Sequence, residues 1–148
     1  MDTLDIKQLI VIEDFINGNN IFMSGPAGTG KTHLIKILQS LSNELHKNCQ
    51  VTALTGCAAL LLDCNAKTLH SWSGVGITEQ DNITYYINKI QKNKKTIYWK
   101  EIDVLIVDEI SMLSKKLFNL LDLIAKRIRK NDKPFGGIQL VFSGDFYQ

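Results

Sequence analysis

Residues 25–32 of this 148-residue chain read GPAGTGKT, which is the full G-x-x-x-x-G-K-[ST] spacing of a Walker A phosphate loop. Glycines at these positions let the backbone approach a polyphosphate, so that successive N–H groups point at its oxygens. The lysine of such a loop reaches the β- and γ-phosphates, and the hydroxyl after it is a ligand of Mg²⁺. The predicted nucleotide-binding residues are therefore Gly25, Pro26, Ala27, Gly28, Thr29, Gly30, Lys31 and Thr32.

The flanking segments favour a strand–loop–helix unit. Residues 20–24 form a short apolar run that suits a buried strand, and residues 31–47 carry leucine and isoleucine at helical spacing. A phosphate loop requires this context because the phosphates lie on the helix N-terminus. The alternative is a chance match in a glycine-rich turn.

Composition indicates one globular domain, with 45% hydrophobic and 22% charged residues. No apolar run approaches the ~20 residues of a membrane span, and the first residues lack the basic region of a signal peptide. The chain has three cysteines, Cys49, Cys57 and Cys64. Their number is odd and no two of them form a C-x-x-C pair, which favours free thiols over a disulfide or zinc site. These features predict a soluble, intracellular protein.

The net charge of +2 is unevenly distributed, because residues 86–133 hold twelve Lys/Arg and six Asp/Glu. A basic surface of this kind attracts nucleic-acid phosphates. Solvated helix faces are the alternative interpretation of the same charges.

Strand and helix patterns alternate along the chain. Helices are predicted over residues 4–16, 31–47, 56–62, 83–93 and 114–130, and strands over 20–24, 50–54, 104–107 and 138–142. Residues 68–77 are rich in Gly and Ser and are predicted to form a loop. This alternation predicts an α/β fold with an open parallel sheet and helices on both faces.

Two further patterns follow predicted strand ends. Asp108 and Glu109 come directly after a nearly all-apolar strand, where a carboxylate faces the ligand crevice of a parallel sheet. This Walker B pattern assigns Asp108 to the Mg²⁺ shell and Glu109 to a general base, the alternative being an acidic pair that caps the next turn. After the last strand, Gln148 carries an amide that can donate to a γ-phosphate or to water.

Five segments in order resemble the superfamily-one DNA helicases of the PIF (petite integration frequency) type. They are GPAGTGKT, TGCAA at 55–59, TLHSW at 68–72, DEISM at 108–112, and KPFGGIQL at 133–140 running into SGD. The resemblance implies a RecA-like P-loop NTPase fold in which the strand before Gln148 lies between the phosphate-loop strand and the Asp108 strand. It also implies that ATP and Mg²⁺ drive 5′-to-3′ unwinding of single-stranded and forked DNA, with roles in repair, recombination or telomere upkeep.

The resemblance also implies particular contacts. Gln8 corresponds to the adenine-reading glutamine of the family's Q motif, and residues of two segments correspond to single-strand contacts: Thr55, Gly56, His70, Ser71 and Trp72. Hydroxyls and backbone N–H groups bind phosphates, and an aromatic ring can stack on a base. The alternatives are a core aromatic for Trp72 and a structural histidine for His70.

The family continues into a second RecA-like domain that supplies an arginine finger, so residues 1–148 are expected to form the first RecA-like ATPase domain, without the second. A nucleotide- and DNA-binding module without turnover is the alternative. A P-loop kinase is disfavoured because Arg127 and Arg129, on one predicted helix, are the only arginines in the sequence. The Asn-, Lys- and Ile-rich composition suits an AT-rich genome, a viral one among them.

Overall fold

The computed structural model describes residues 5–24, 30–76 and 81–144. In these ranges the helices are α1 (Ile6–Ile16), α2 (Lys31–Glu44), α3 (Gly56–Leu62), α4 (Leu69–Ser73), α5 (Ile83–Lys92), α6 (Thr96–Glu101) and α7 (Lys115–Arg129). The strands are β1 (Ile21–Ser24), β2 (Cys49–Ala53), β3 (Lys67–Thr68), β4 (Val104–Asp108) and β5 (Gln139–Gly144). None of the helices in these ranges is long and apolar enough to cross a membrane.

The five strands form one sheet in the order β1-β5-β4-β2-β3, and every neighbouring pair is parallel. The expected position of β5, between the phosphate-loop strand β1 and the Asp108 strand β4, is confirmed. Because all strands run the same way, their carboxyl ends meet at one edge of the sheet, where ligands of open α/β sheets bind.

Helices cover both faces of the sheet, as predicted. Along β4, Val104 and Ile106 pack into a core cluster with residues of α1, α2 and α3, whereas Leu105 and Val107 pack into a second cluster with residues of α4 to α7. A strand that is covered on both faces has no solvent side, and this explains its nearly continuous run of apolar residues.

The prediction of a loop over residues 68–77 is wrong in its first half. Lys67 and Thr68 form the short strand β3, and α4 follows it at once. The Thr68 side chain caps this helix by accepting a hydrogen bond from the Ser71 N–H at 3.2 Å, and Gly74 ends it at φ 82°. Ile77, the last residue of the predicted loop, lies outside the described residues. Tertiary burial of Leu69 and Trp72 stabilises a helix too short to form from local propensity.

A second short helix, α6, was not predicted at all. Its six residues bury Trp99 completely, and the Trp99 indole N–H donates to the Ser73 carbonyl at 2.9 Å. The helix is therefore held by contacts with α4, which are distant in sequence. Helix α2 ends at Glu44, before the predicted end at residue 47, because the chain turns through His46 (φ 57°) to begin β2.

Candidate nucleotide-binding site

The phosphate loop leads from β1 into α2, and its described residues are Gly30, Lys31 and Thr32; Gly25, Pro26, Ala27, Gly28 and Thr29 lie outside the described residues. Gly30 stands at the N-cap of α2 with φ 83°, a left-handed conformation that glycine adopts without strain. It provides no side-chain cap, whereas five other helices begin with one, from Asp5, Thr55, Thr68, Asn82 and Ser114. The phosphate loop therefore enters α2 through a residue that has no side chain, and a helix N-terminus is where phosphate oxygens bind.

The acidic pair lies at the same edge of the sheet. Asp108 is the last residue of β4, in register with Ala53 of β2, and Ser24 at the end of β1 is in register with Gly144 of β5. Strand β5 separates β1 from β4, which places their ends about 10 Å apart, at two inter-strand spacings. A triphosphate leaving the α2 N-terminus can span that distance. The described Walker A residues, Gly30 to Thr32, therefore lie at the same sheet edge as the predicted Walker B pair.

Glu109 makes a contact that sequence reasoning missed. It has left-handed backbone angles (φ 60°, ψ 43°), and its Oε1 accepts a hydrogen bond from the Thr55 hydroxyl at 3.0 Å. The same Thr55 oxygen accepts the N–H of Ala58 at 3.1 Å and caps α3. Thr55, predicted as a DNA contact, therefore touches the predicted general base.

Glycine at position 144 allows a close approach that supports the acidic turn. A Cβ on Gly144 would lie 2.8 Å from Ile110 Cγ2 and 3.1 Å from the Ile110 nitrogen. The turn after Glu109 therefore packs directly on the end of β5. The glycine of the SGD segment was the sequence signal for this close approach. Gln148 lies outside the described residues, and its role stays a prediction.

Gln8 lies beside the phosphate loop. Its backbone N–H donates to the Asp5 carboxylate at 2.8 Å and its Oε1 accepts the Asp5 N–H at 3.1 Å, a reciprocal capping box that fixes the side chain. The amide Nε2 reaches within 3.1 Å of the position of a Cβ on Gly30. Gln8 and Gly30 share a cleft of about 530 Å³, also lined by Asp5, Lys7, Val11, Phe22, Met23, Ser24, Lys31 and Leu34.

The two segments predicted to contact DNA follow neighbouring strands. Because Ala53 of β2 is in register with Thr68 of β3, the residues after each strand lie at the same sheet edge. Gly56 and Ser71 are exposed, and Thr55 and His70 are half-buried. These four residues have the position and accessibility of strand contacts, and their roles stay predictions.

The prediction that Trp72 stacks on a base is wrong for this fold. Trp72 is 3% exposed, and its ring centroid lies 4.9 Å from that of Trp99 in the core that also includes Tyr86 and Ile90. A ring buried between helices offers no face to a nucleobase. The alternative interpretation, a core aromatic, describes Trp72.

The three cysteines are free thiols. Burial is the main cause that raises the pKa of the Cys49 thiol to about 11, and it also raises the pKa of Cys64. Cys57 is exposed. Within the described residues no group of three or more His, Cys, Asp or Glu side chains could hold a metal ion.

The strand order, the phosphate loop before α2 and the Asp-Glu pair at the end of β4 define a P-loop NTPase domain of the RecA-like type. The PIF1-like helicase family matches residues 5–148, and the chain belongs to that family.

Curated relatives share this segment of the chain. ATP-dependent DNA helicase PIF1 of Candida albicans is 46% identical over 149 residues, covering 98% of this chain and 16% of that protein. ATP-dependent DNA helicase RRM3 of Saccharomyces cerevisiae is 47% identical over 132 residues, covering 87% of this chain and 18% of that protein. Uncharacterized protein 030L of Invertebrate iridescent virus 6 is 43% identical over 133 residues, covering 87% of this chain and 25% of that protein. The chain thus spans about a sixth to a quarter of the length of these relatives.

Solved structures show the same fold. Pif1 helicase from Candida albicans superposes with a TM-score of 0.91 at 44% identity, covering 100% of this chain and 34% of that one. Bacteroides sp Pif1 in complex with ADP-AlF4 gives a TM-score of 0.81 at 32% identity, covering 100% of this chain and 33% of that one. Bacteroides Pif1 bound to ssDNA gives a TM-score of 0.72 at 31% identity, covering 99% of this chain and 33% of that one.

Proposed function

We propose that residues 1–148 form the first RecA-like ATPase domain of an ATP-dependent 5′-to-3′ DNA helicase that acts in DNA repair, recombination or telomere maintenance. The observation that carries the proposal is the convergence of Gly30, Lys31 and Thr32 with Asp108 and Glu109 at one sheet edge. The names of the relatives, ATP-dependent DNA helicases, support the same activity.

In this proposal each side chain acts on a different part of ATP. Lys31 contacts the β- and γ-phosphates, Gln8 reads the base across the cleft, and Glu109 accepts the proton of the attacking water. Gln148 contacts the γ-phosphate. The Thr32 hydroxyl and Asp108 carboxylate are the hard oxygen ligands that suit Mg²⁺, which when bound neutralises phosphate charge.

The DNA partner is a single strand or a fork. The structure of a relative bound to ssDNA supports this proposal, as does the shared edge at which Thr55, Gly56, His70 and Ser71 lie. We expect phosphate contacts from hydroxyls and backbone N–H groups there, without stacking by Trp72. A second RecA-like domain is expected downstream, where it completes the strand groove and supplies an arginine to the nucleotide.

We expect Lys31→Ala to abolish ATP binding with little effect on folding. Lys31 is not among the buried residues of the core, so the variant loses a charge expected to contact phosphate rather than a core packing contact. Lys36→Ala is the matched control, since Lys36 is an exposed lysine on the same helix. Calorimetric ATP titration and the thermal midpoint measure both effects. Equal ATP affinity in the Lys31 variant and the wild type would refute the assignment of the loop.

We expect Glu109→Gln to keep ATP binding and, in the full-length protein with its second RecA-like domain, to lower DNA-stimulated ATP hydrolysis by about 10²–10⁴, because an amide can hydrogen-bond water but cannot accept its proton. Asp108→Asn should instead weaken the Mg²⁺ dependence of binding. Glu44→Gln, at an exposed site on α2, is the control. Phosphate release assays with single-stranded DNA measure the rate, and an unchanged rate in Glu109→Gln would place the base elsewhere. Loss of binding and hydrolysis together would point to a structural role for Glu109.

A further inference from the structure

The hydroxyl of Thr55 forms hydrogen bonds with two parts of the chain: the predicted general base after β4 and the start of α3 in the predicted DNA-contacting segment. It donates its one hydrogen to Glu109 Oε1 at 3.0 Å, across 54 positions of sequence, and its oxygen accepts the Ala58 N–H at 3.1 Å. Glu109 follows β4, beside the nucleotide crevice. Thr55 opens α3, in the segment proposed to contact a DNA strand.

The direction of this bond matters because of the strand order. Thr55 follows β2, which lies on the side of β4 opposite to β5 and β1. The bond therefore draws the Glu109 carboxylate toward β2 and away from the phosphate-loop strand. A general base must reach the water beside the γ-phosphate to accept its proton. In the observed arrangement the carboxylate is hydrogen-bonded on the β2 side of β4.

We propose that Thr55 is a positioning residue that holds Glu109 away from the nucleotide until a DNA strand takes the Thr55 hydroxyl. The inference rests on the proposed function. A threonine hydroxyl has a single O–H to donate. A DNA phosphate that accepts this hydrogen displaces Glu109 from it, and the carboxylate then turns toward the crevice. No covalent bond changes in this step.

The backbone around Glu109 suits a movement of its side chain alone. Ile110 packs against Gly144 so closely that a Cβ would lie 2.8 Å from Ile110 Cγ2, which holds the turn on β5. Because this contact fixes the backbone of the turn, loss of the hydrogen bond to Thr55 allows the Glu109 side chain to rotate while the backbone stays in place. Strand binding would thereby increase ATP hydrolysis without a change in ATP affinity.

The test compares four variants of the full chain. Thr55→Val removes the donated hydrogen and the cap, Thr55→Asp keeps a capping oxygen but cannot donate to Glu109, and Thr55→Ser retains both. Ser114→Ala is the control for loss of a helix cap, because the Ser114 hydroxyl accepts the Leu117 N–H at 3.0 Å at the start of α7. Circular dichroism verifies that each variant is folded.

The first readout is the carboxyl ¹³C signal of Glu109, assigned by its loss in Glu109→Gln. Without DNA, the Val and Asp variants should shift this signal, whereas the Ser variant and Ser114→Ala should match the wild type. Saturating oligo(dT) should shift the wild-type signal in the same direction as Thr55→Val, with fluorescence anisotropy reporting binding. The second readout is ATP hydrolysis, for which Thr55→Val should lower the ratio of rates with and without DNA about tenfold at unchanged KM.

An unmoved Glu109 signal in Thr55→Val would overturn the positioning role. If oligo(dT) binds to the wild type and leaves the signal unmoved, the coupling is wrong while the proposed function stands. Absence of any oligo(dT) binding would instead refute the DNA-binding part of the proposed function, and the coupling with it. The two failures are thus distinguished by anisotropy.

Discussion

At the residue scale, several basic side chains of the positively charged segment bind backbone carbonyls of the protein itself. Arg129 donates to the carbonyls of Gly136 at 2.8 Å, Trp99 at 2.7 Å and Ile102 at 2.9 Å. Lys95 donates to the Ser71 carbonyl, and Lys89 to that of Val75 at 3.1 Å. These cations join α4, α5, α6, α7 and the segments that follow them, so part of the charge that sequence patterning assigned to nucleic acid or solvent serves the fold.

Replacement of Arg129 tests this structural role. Arg129→Met should lower the free energy of unfolding by about 2–3 kcal/mol, because hydrogen bonds from a charged donor are lost and the carbonyls of Trp99 and Ile102 lose a partner. Arg127→Met, two positions away and exposed, should change stability by less than about 0.5 kcal/mol. Urea unfolding measures both variants. Equal stabilities would show that solvent replaces the Arg129 contacts.

At the element scale, the site depends on how the ends of four neighbouring strands meet. Strand β5 carries no identified ligand in its described part, but its last residue supports the turn that bears Glu109. Strand β2 ends at Ala53, in register with Asp108, so the start of α3 lies beside the acidic pair. The sheet register therefore determines which motifs touch, and a shift by one residue would separate Thr55 from Glu109.

Gly144→Ala tests the contact between β5 and the acidic turn. The added Cβ would meet Ile110 at 2.8 Å, and the turn must move, at a cost of about 1–3 kcal/mol. ATP hydrolysis should fall with it, because Glu109 is displaced. Gly56→Ala is the matched control for stability, since nothing lies within 4 Å of its Cβ. Thermal unfolding compares the two, and equal midpoints would refute the close packing.

At the scale of the whole molecule, the 148-residue chain should bind ATP and a single DNA strand but should not unwind a 5′-tailed duplex. Unwinding by helicases of this type needs two lobes that close on ATP, and an arginine from across the cleft is worth about 10³–10⁵ in rate. Strand displacement is the measurement, with Lys31→Ala as the negative control. ATP-dependent unwinding by this chain alone would show that it needs no second lobe or that self-association supplies one. Single-strand binding should weaken as salt rises, because phosphate contacts release counterions.

The sequence alone established the elements that depend on local pattern. A parallel α/β nucleotide-binding fold was predicted from three local patterns: the spacing in GPAGTGKT, the apolar run of β4 and the acidic pair that follows this run. Each of these patterns depends only on residues that are close together in the chain, so the sequence alone contains it. Strand and helix types were predicted for most elements on the same ground. The family resemblance added the strand order, which local pattern does not contain.

Contacts between distant residues became known only from the folded arrangement. Local sequence favours a core ring for Trp72, the family resemblance adds a stacking ring as a second interpretation, and burial against Trp99 decides between them. The short helices α4 and α6 form because they pack on each other, and the Thr55–Glu109 bond exists because β2 and β4 are neighbours. Side-chain environment depends on which strands pair, and strand pairing is a property of the whole sheet rather than of any segment.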